Sequence, residues 1–486
     1  MKIYNGYERL PRNYTLMSDE YEFTMSNGYL NKKMENQIAY FDVFFRKVPD
    51  EGGYAIIAGL EQIINYIKNL SFDEEDINYL RKQNKFSEEF LNYLENFRFT
   101  GDVWAIPEGT VVFPNEPLIT VRAPIIQAQL LETMLLLTTN HQSLIATKTS
   151  RIVKEAQGRP VMEFGARRAH GINAAVEGAR AAIIGGAIGT SCTLSAKEFN
   201  VPASGTMAHS WVQSFDSEYE AFKTYAEIYP DDCTLLIDTY NTIESGLPNA
   251  IKVFNEVLKP KGYKPKAVRL DSGDLAYLSK KVRKILDEAG YTECKICATN
   301  SLDEYLIKSL IEQDAKIDSF GVGENLITAK SEPVFGGVYK LVGIEKDTKI
   351  IPKIKVSENV VKVTNPGFKK VYRFYDNESQ KAIADVIALS DEIIDEREYM
   401  IFDPQNPWKK KLIKDYTIRE LQEKIFENGK LIYKSPTLEE IAKKSKKELN
   451  SIWEEVKRIE NPHKYYVDLS KKLWILKNNM LNNIYF

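Results

Sequence analysis

The chain has 486 residues and a formal net charge of −3 at pH 7, with 43% hydrophobic and 27% charged residues. This composition is ordinary for a globular protein of two or three domains. The small negative charge excludes a bulk attraction to nucleic acid or to anionic membranes, so a polyanionic ligand must be bound by a local cluster of side chains.

Targeting and membrane-spanning segments are not expected. The N-terminal residues MKIYNGYERLPRN lack the apolar core of a signal peptide. The most apolar stretch, LLETMLLLTT, contains Glu132 and is shorter than the ~20 residues of a membrane-spanning helix. These features predict a cytoplasmic protein.

Residues 1–140 predict an N-terminal α+β domain. Ser18 and Asp19 begin a short amphipathic helix that carries Tyr21. The later elements of this domain are a strand at 40–48, helices at 54–70 and 86–97, a β-meander at 99–123, and one long or broken helix at 125–157.

Residues 141–345 alternate strands with amphipathic helices and predict an α/β domain that carries the active site. The predicted strands are 161–165, 188–192, 203–209, 234–240, 266–273, 295–301 and 318–323, and the helices are 173–184, 216–228, 247–258, 274–289 and 303–313. This alternation favours an irregular (β/α) barrel over an open sheet. Catalytic groups of such barrels lie at the carboxyl ends of the strands.

From residue 346 the chain is rich in lysine and loses the alternation. We expect residues 346–486 to form a C-terminal extension that packs on the N-terminal domain. Its predicted strands are 350–356, 359–364 and 370–374, and its predicted helices are 417–427, 437–448 and 450–459.

The four cysteines do not predict a disulfide framework in a chain of this length. Cys294 and Cys297 form a C-x-x-C pair, but the sequence offers no second pair that would complete a zinc site. A redox C-x-x-C usually begins a helix, whereas this one lies in KICATN, which is typical of a strand. We interpret both cysteines as buried strand residues.

His209 is the first candidate reactive group because it follows ASGTMA, a segment that predicts a strand ending at the barrel mouth. It is one of four histidines, which do not have the spacing of metal ligands. A histidine that caps the following helix is the structural alternative. A Schiff-base mechanism is disfavoured because none of the predicted strand ends carries a lysine.

Arginines and carboxylates follow other predicted strands. Arg167 and Arg168, with His170 close by, offer guanidinium forks for phosphate or carboxylate, although a surface ion-pair cluster is an equal alternative. Asp238 and Asp271 suit ribose hydroxyls or Mg²⁺, or they pair with a neighbouring arginine.

Gly321 and Gly323 form a Gly-x-Gly turn before a predicted helix start, where backbone N–H groups can bind phosphate. Alone, this signal is weak. Together with the arginines, the carboxylates and one histidine, it indicates chemistry on a phosphorylated sugar.

Five segments, LMSDEYEFTM, EFGARRAH, GTMAHSW, RLDSGDL and FGVGENLITA…GGVYKLV, together resemble nicotinate phosphoribosyltransferases of the longer bacterial type. The resemblance covers most of residues 14–345. It implies a type II phosphoribosyltransferase-like irregular α/β barrel with an N-terminal α/β domain, usually in a homodimer with sites near the interface. It also implies ATP- and Mg²⁺-dependent transfer of phosphoribosyl from phosphoribosyl pyrophosphate to nicotinate, in NAD salvage.

The same resemblance implies roles for individual residues. His209 aligns with the histidine that the family phosphorylates. The implied contacts to the pyridine ring are Tyr21, Thr206 and Arg269, and Thr328 is the implied contact on the phosphate side. Further site residues implied less specifically are Arg167, Asp238, Asp271, Gly321 and Gly323, with Asp238 and Asp271 as candidate contacts to Mg²⁺.

The segment around Ser191 bears on the choice of substrate. The related nicotinamide enzyme has an Asp after a Gly-Thr pair, whereas Gly189 and Thr190 are followed here by Ser191. The missing acceptor charge favours an anionic ring acid. The alternatives are a nicotinamide- or quinolinate-specific phosphoribosyltransferase, or a ligand-binding barrel without turnover. A nucleic-acid-binding role is not expected, since the basic residues form no stripe with interleaved aromatics.

Overall fold

A computed structural model describes residues 13–358 and 362–483 of the chain. The chain divides into two compact units. The first comprises the chain up to His141 with Val334–Thr437 and Lys447–Phe486, and the second comprises Gln142–Pro333 and Leu438–Lys446. The predicted domain boundaries stay a prediction, and the expectation about MKIYNGYERLPRN falls almost wholly outside the described residues.

The N-terminal part contains the elements α1 (Glu20–Asn31), β1 (Ile38–Phe44), β2 (Ala55–Ile56), α2 (Leu60–Asn69), α3 (Glu74–Lys82), α4 (Glu88–Glu95), β3 (Asp102–Ala105), β4 (Val111–Val112), β5 (Ile119–Pro124) and α5 (Ile125–Gln129). Asp19 is the N-cap of α1, as predicted. The acidic segment before α4 forms α3, a helix that the sequence did not predict. The Asp73 side chain caps α3 by accepting a hydrogen bond from the Asp76 N–H.

The middle part contains α6 (Glu132–Glu155), β6 (Val161–Glu163), α7 (Ile172–Ile184), α8 (Thr193–Phe199), α9 (His209–Gln213), α10 (Glu218–Ile228), β7 (Thr234–Leu236), α11 (Leu247–Val253), β8 (Ala267–Leu270), α12 (Leu275–Glu288), β9 (Lys295–Ala298), α13 (Glu304–Glu312), β10 (Ser319–Val322) and α14 (Glu324–Ile327). The predicted helix 125–157 is therefore a broken pair, α5 and α6. The predicted helix 247–258 continues beyond α11 as a π-helical segment, Phe254–Leu258.

A parallel sheet organises the second unit, with strand order β6-β10-β9-β8-β7. Single parallel bridges join Thr190 to Glu163 and to Ala203 at its β6 edge. The prediction of strands at 188–192 and 203–209 was wrong, because each segment contributes a single bridging residue, Thr190 with two bridges and Ala203 with one, and no strand. In the second segment, side-chain hydrogen bonds take the place of ladder hydrogen bonds, since Arg269 donates to the Met207 carbonyl. The architecture is a mixed α/β fold with a parallel sheet.

The C-terminal part contains β11 (Val338–Lys346), β12 (Lys349–Pro352), β13 (Lys369–Asp376), β14 (Ala382–Leu389), β15 (Glu398–Phe402), β16 (Lys410–Lys414), β17 (Tyr416–Glu420), β18 (Glu423–Glu427), β19 (Lys430–Leu431), α15 (Leu438–Ser451), β20 (Val467–Leu469) and α16 (Lys471–Asn483). The sequence reading missed α16, and residues 450–459 are not helical beyond the end of α15. Residues 359–361 of the predicted strand 359–364 lie outside the described part of the chain.

The helix predicted at 417–427 was wrong, because this segment forms two strands. Its apolar residues occur at helical spacing, but β17 pairs with β13 and β18 pairs with β3. Long-range pairing has therefore overridden the local pattern. These strands belong to two sheets of the first unit, with orders β12-β11-β1-β5-β3-β18-β19 and β17-β13-β14-β20.

Cys294 and Cys297 are free and buried, as predicted. Burial raises the pKa of Cys294 to about 12 and also raises the pKa of Cys297. Both thiols are therefore un-ionised and poorly reactive near neutral pH. Of the helices in residues 13–358 and 362–483, none combines the length and apolar character that crossing a bilayer requires.

Candidate active site

The carboxyl ends of β7, β8 and β9 gather most of the predicted site residues. Since neighbouring parallel strands end at the same edge of a sheet, Asp238 after β7, Asp271 after β8 and Thr299 after β9 are brought together. Arg269 lies within β8. His209 joins this group from α9.

Arg269 is the hub of the site, and its guanidinium makes four hydrogen bonds. Nε donates to Thr299 Oγ1 at 3.0 Å, and Nη2 donates to Asp271 Oδ1 at 2.9 Å. Nη1 donates to Thr206 Oγ1 at 3.1 Å and to the Met207 carbonyl at 3.3 Å. A guanidinium has five N–H groups, so these bonds leave one Nη2–H for a ligand.

Asp271 connects Arg269 to His209. Its Oδ1 accepts from Arg269 and from the Thr299 hydroxyl, while Oδ2 lies 3.5 Å from His209 Nε2. Burial acts to raise the pKa of Asp271, but the Thr299 hydroxyl and the Arg269 charge outweigh burial and hold the pKa below its ordinary value. Asp271 is therefore a carboxylate at neutral pH.

His209 is the first residue of α9 rather than the last residue of a strand. Its Nδ1 lies 3.1 Å from Thr239 Oγ1, and its Nε2 faces Asp271. The side chain is 39% exposed. The ring is thus held from both nitrogens while part of it stays accessible to a ligand.

Asp238 is only partly satisfied by the protein. Its Oδ2 accepts from the Asp271 N–H at 2.8 Å and from the Ser272 hydroxyl at 2.6 Å. Its Oδ1 is buried and has no hydrogen-bond partner among the described residues. A buried carboxylate oxygen without a partner is costly, so this atom is a candidate ligand for a cation or a hydroxyl group.

Gly321 and Gly323 lie at the end of β10 and before α14, respectively. A Cβ at Gly321 would lie 2.4 Å from the Phe164 ring and 2.8 Å from Thr299 Cγ2, so close packing requires this glycine. A Cβ at Gly323 would lie 3.4 Å from the Phe164 carbonyl oxygen, which is at the short end of ordinary van der Waals contact. Thr328 follows α14, and its hydroxyl donates to the Glu324 carbonyl at 2.7 Å.

Arg167 lies in a 3₁₀ turn, Ala166–Arg168, just after β6. It is exposed and makes no hydrogen bond or ion pair with the described residues. Its neighbour Arg168 lies 3.8 Å from Glu324 in an exposed, weak pair. Arg167 is therefore the arginine of this turn that remains open to an anionic ligand.

Tyr21 belongs to the first compact unit, on α1. It is 44% exposed, and its phenol lies within the electrostatic influence of Glu132. Partial burial and then the charge of Glu132 raise the pKa of Tyr21, so the phenol is neutral. Its predicted contact with the substrate ring stays a prediction.

Thr299 and Thr239 are functional candidates that the sequence reading missed. Thr299 directly follows β9 and Thr239 lies three residues after β7, so the rule that singled out Asp238 and Asp271 could have found them. Glu163 was also missed. It is fully buried at the end of β6, and its Oε2 accepts from Thr190 Oγ1 at 2.6 Å, while Oε1 accepts from the Gly165 N–H. Burial raises the pKa of Glu163.

No cluster of three or more His, Cys, Asp or Glu in the described part of the chain is arranged to hold a metal ion.

Three family models match the chain. The nicotinate phosphoribosyltransferase N-terminal domain matches residues 16–140, the nicotinate phosphoribosyltransferase family model matches residues 160–372, and the C-terminal domain matches residues 368–477.

Similar proteins carry the same name. The nicotinate phosphoribosyltransferase of Bacillus subtilis is 45% identical over 471 residues, which cover 97% of this chain and 96% of the relative. The crystal structure of human nicotinic acid phosphoribosyltransferase has a TM-score of 0.83 and 26% identity, covering 96% of this chain and 100% of the human one. A nicotinate-nucleotide pyrophosphorylase from Pyrococcus furiosus, at 24% identity and a TM-score of 0.69, shares the fold.

The fold and the strand-end site thus define an α/β protein of the phosphoribosyltransferase class. Within that class, the chain belongs to the nicotinate phosphoribosyltransferase family. The resemblance found in the sequence is confirmed.

Proposed function

We propose that the chain catalyses the ATP-coupled, ligase-type transfer of phosphoribosyl from phosphoribosyl pyrophosphate to nicotinate. The products are nicotinate mononucleotide, pyrophosphate, ADP and phosphate, and the reaction belongs to NAD salvage. Family membership supports the transfer itself. The observation that carries the ATP-coupled step is the placement of His209 between Thr239 and Asp271, next to the Arg269 hub.

The first step is phosphorylation of His209. A neutral imidazole nitrogen attacks the γ-phosphorus of ATP, an N–P bond forms, and the bond to the bridging oxygen breaks as ADP leaves. Contacts at both ring nitrogens orient the imidazole, and its partial exposure admits the nucleotide. The resulting phosphohistidine adds negative charge and acceptor oxygens beside Arg269, which favours ordered binding of the second substrate.

The second step is transfer of the sugar. The ring nitrogen of nicotinate attacks the anomeric carbon of phosphoribosyl pyrophosphate as pyrophosphate leaves, through an oxocarbenium-like transition state. Asp271 is ionised and Asp238 has an unpartnered oxygen, so these carboxylates can stabilise positive charge on the sugar or accept its hydroxyls. Water then hydrolyses the phosphohistidine, which returns His209 to its starting state.

Nicotinate is bound through its carboxylate and its ring in this proposal. Arg269 contributes its one remaining N–H to the carboxylate, and Thr206 lies beside it. The sequence resemblance further predicts Tyr21 as a contact to the ring. Ser191 supports the acid over the amide, and the nearby Glu163 does not replace the missing acceptor because both its oxygens are engaged by Thr190 and Gly165.

Phosphate groups are assigned to the opposite part of the sheet edge. Arg167 is exposed and unpartnered among the described residues, so it can pair with phosphate or pyrophosphate. The backbone around Gly321 and Gly323 and the Thr328 hydroxyl supply further polar groups, and the accepting lone pairs of Thr328 stay open.

The residues present fit Mg²⁺ as a cofactor. Mg²⁺ is commonly bound by one or two carboxylates together with substrate phosphates and water. Asp238 is the better protein ligand because its Oδ1 lacks a partner, whereas Asp271 already accepts from Arg269 and Thr299. When bound, the ion neutralises charge on the phosphate oxygens.

We also propose that the parallel sheet forms an irregular barrel. Thr190 and Ala203 extend the sheet at its β6 edge, and side chains span the remaining gap between Ala203 and β7. The supporting contact is Arg269, which reaches from β8 to Thr206 and Met207. The family resemblance further favours a homodimer.

Substrate comparison tests this proposal. Purified protein is supplied with phosphoribosyl pyrophosphate, Mg²⁺ and nicotinate, nicotinamide or quinolinate, each with and without ATP, and the mononucleotide is quantified by chromatography. Nicotinate mononucleotide that rises strongly with ATP supports the proposal. Product from nicotinamide or quinolinate alone would reassign the substrate, and binding without product would leave a ligand-binding protein.

A further inference from the structure

Thr299 occupies the position between Arg269 and Asp271 at the end of β9. Its side chain is 3% exposed. The hydroxyl accepts a hydrogen bond from Arg269 Nε at 3.0 Å and donates one to Asp271 Oδ1. One hydroxyl thus satisfies a cation and an anion that also contact each other, at 2.9 Å.

The rest of the Thr299 side chain is fixed by packing. Its Cγ2 methyl faces Gly321, where a Cβ would approach it to 2.8 Å. A β-branched side chain has few rotamers, and in the observed one the methyl lies against Gly321 while the hydroxyl contacts Arg269. The backbone is also held, because the Thr299 N–H donates to the Leu270 carbonyl at 2.9 Å.

Asp271 transmits this arrangement to His209. With Oδ1 held by Thr299 and Arg269, the carboxylate presents Oδ2 to His209 Nε2 at 3.5 Å. A carboxylate accepts hydrogen bonds only, so it favours the proton on Nε2. Nδ1 then keeps its lone pair and accepts from the Thr239 hydroxyl, 3.1 Å away.

We propose that Thr299 is a positioning residue: its hydroxyl holds Arg269 and Asp271 as one unit and, through Asp271, sets which nitrogen of His209 carries the proton. The kinetic part of this inference rests on the proposed function. The structural part, the His209 tautomer, does not depend on turnover.

Kinetics with two variants test the hydroxyl. Thr299→Val keeps the shape and removes the hydroxyl, whereas Thr299→Ser keeps the hydroxyl and removes the methyl. A hydrogen bond to a charged group is worth about 1.5–3 kcal/mol, so we expect Thr299→Val to lower kcat by about 10- to 150-fold. Thr299→Ser should stay within about threefold of wild type, because it conserves both hydrogen bonds. Equal loss in both variants would overturn the inference, since packing alone would then explain it.

Nitrogen NMR tests the tautomer directly. The chain has four histidines, so the His209 ring signals can be assigned with a His209→Asn variant. At about pH 9, wild type and Thr299→Ser should show the Nε2–H tautomer, and Thr299→Val should show a mixture. Thr299→Ala, which also lacks the hydroxyl, replaces Thr299→Val if the valine variant does not fold.

The kinetic and NMR measurements separate the positioning role of Thr299 from the proposed function. An unchanged tautomer in both hydroxyl-free variants overturns the positioning role, whatever the activity. If the tautomer changes between wild type and Thr299→Val as expected but wild type forms no nicotinate mononucleotide, the proposed function is contradicted and the positioning role stands.

Discussion

Two arginines, one in each compact unit, illustrate how burial separates a structural charge cluster from a functional one. Arg373 in the first unit is fully buried and donates to both Asp385 oxygens at 2.8 and 2.6 Å, to Glu448 at 3.2 Å and to the Val111 carbonyl at 2.8 Å. Arg269 in the second unit also has four hydrogen bonds, but its side chain is 16% exposed.

The surroundings of the two arginines differ in the polar groups that they leave accessible to a ligand. The guanidinium of Arg373 lies 5.4 Å and 6.0 Å from the ring centroids of Phe113 and Tyr465, which stack on each other, and its side chain has no exposed surface. Around Arg269, one N–H, the His209 ring and the Asp238 Oδ1 atom are left for a ligand. We infer that the first cluster fixes the fold and that the second binds substrate.

The largest expected effect follows from replacing Arg373. Removing one partner of a buried ion pair leaves an uncompensated charge, which typically costs about 3–5 kcal/mol. We therefore expect Arg373→Met to lower the free energy of unfolding by about that amount, measured by urea denaturation followed by tryptophan fluorescence. A loss below about 1 kcal/mol would show that the cluster is not structural in the sense argued above.

Replacing Arg269 should show the opposite pattern. Arg269→Met removes the proposed charged contact to the substrate carboxylate and releases Asp271, so we expect kcat/KM for nicotinate to fall about 100-fold or more. The free energy of unfolding should change by less than for Arg373→Met, because the site is partly hydrated. Equal destabilisation by both variants would remove the distinction between the two clusters.

Glu116 tests the buried cluster through the pH dependence of stability. Burial and then the Asp385 carboxylate raise the pKa of Glu116 well above its ordinary value, so the neutral acid is the folded form. Such a group contributes stability that is complete below its unfolded pKa, about 4.3, and is lost as the pH rises toward the folded value. We therefore expect wild type to lose stability relative to Glu116→Gln by up to about 1.4 kcal/mol per pH unit above pH 5.

The matched control for Glu116→Gln is Glu88→Gln. The Glu88 side chain is 65% exposed in its pair with Arg81, and such pairs contribute little. Urea denaturation from pH 5 to pH 8 should give parallel profiles for Glu88→Gln and wild type. A parallel profile for Glu116→Gln as well would contradict the neutral state of Glu116.

The smallest expected effect comes from Arg167. Because it is exposed and unpartnered among the described residues, Arg167→Ala should leave stability unchanged and raise the KM for phosphoribosyl pyrophosphate about fivefold, in line with a solvated charge contact. Arg168→Ala is the adjacent comparison and should have a smaller effect, since Arg168 lies near Glu324. A larger effect for Arg168 would reverse the assignment.

The residue pattern of the sequence was sufficient to locate polar side chains that follow strands or lie within them. Asp238 and Asp271 follow β7 and β8, and Arg269 lies within β8, all close to their predicted positions. Pattern failed for residues 203–209, where one backbone bridge and the Arg269 side chain replace a strand. Such a substitution depends on a residue about 60 positions away, so no local signal in the segment could reveal it.

The same limit applies to other parts of the chain. The helix predicted at 417–427 gave way to strands because β3 and β13 offered pairing partners. Gly321 packs closely against Phe164 and Thr299, a requirement that only tertiary contacts create, while its predicted place in a phosphate turn stays a prediction. Thr299, by contrast, could have been found by applying the strand-end rule to hydroxyl side chains.

We propose that His209 couples ATP to the transfer, and a comparison of wild type with His209→Ala tests this role. Nicotinate mononucleotide formation is measured with and without ATP for wild type and for His209→Ala, with phosphoribosyl pyrophosphate and Mg²⁺ in excess. We expect ATP to accelerate nicotinate mononucleotide formation strongly in wild type. His209→Ala should retain a slow transfer whose rate ATP does not change. Acceleration of His209→Ala by ATP to the wild-type degree would contradict it.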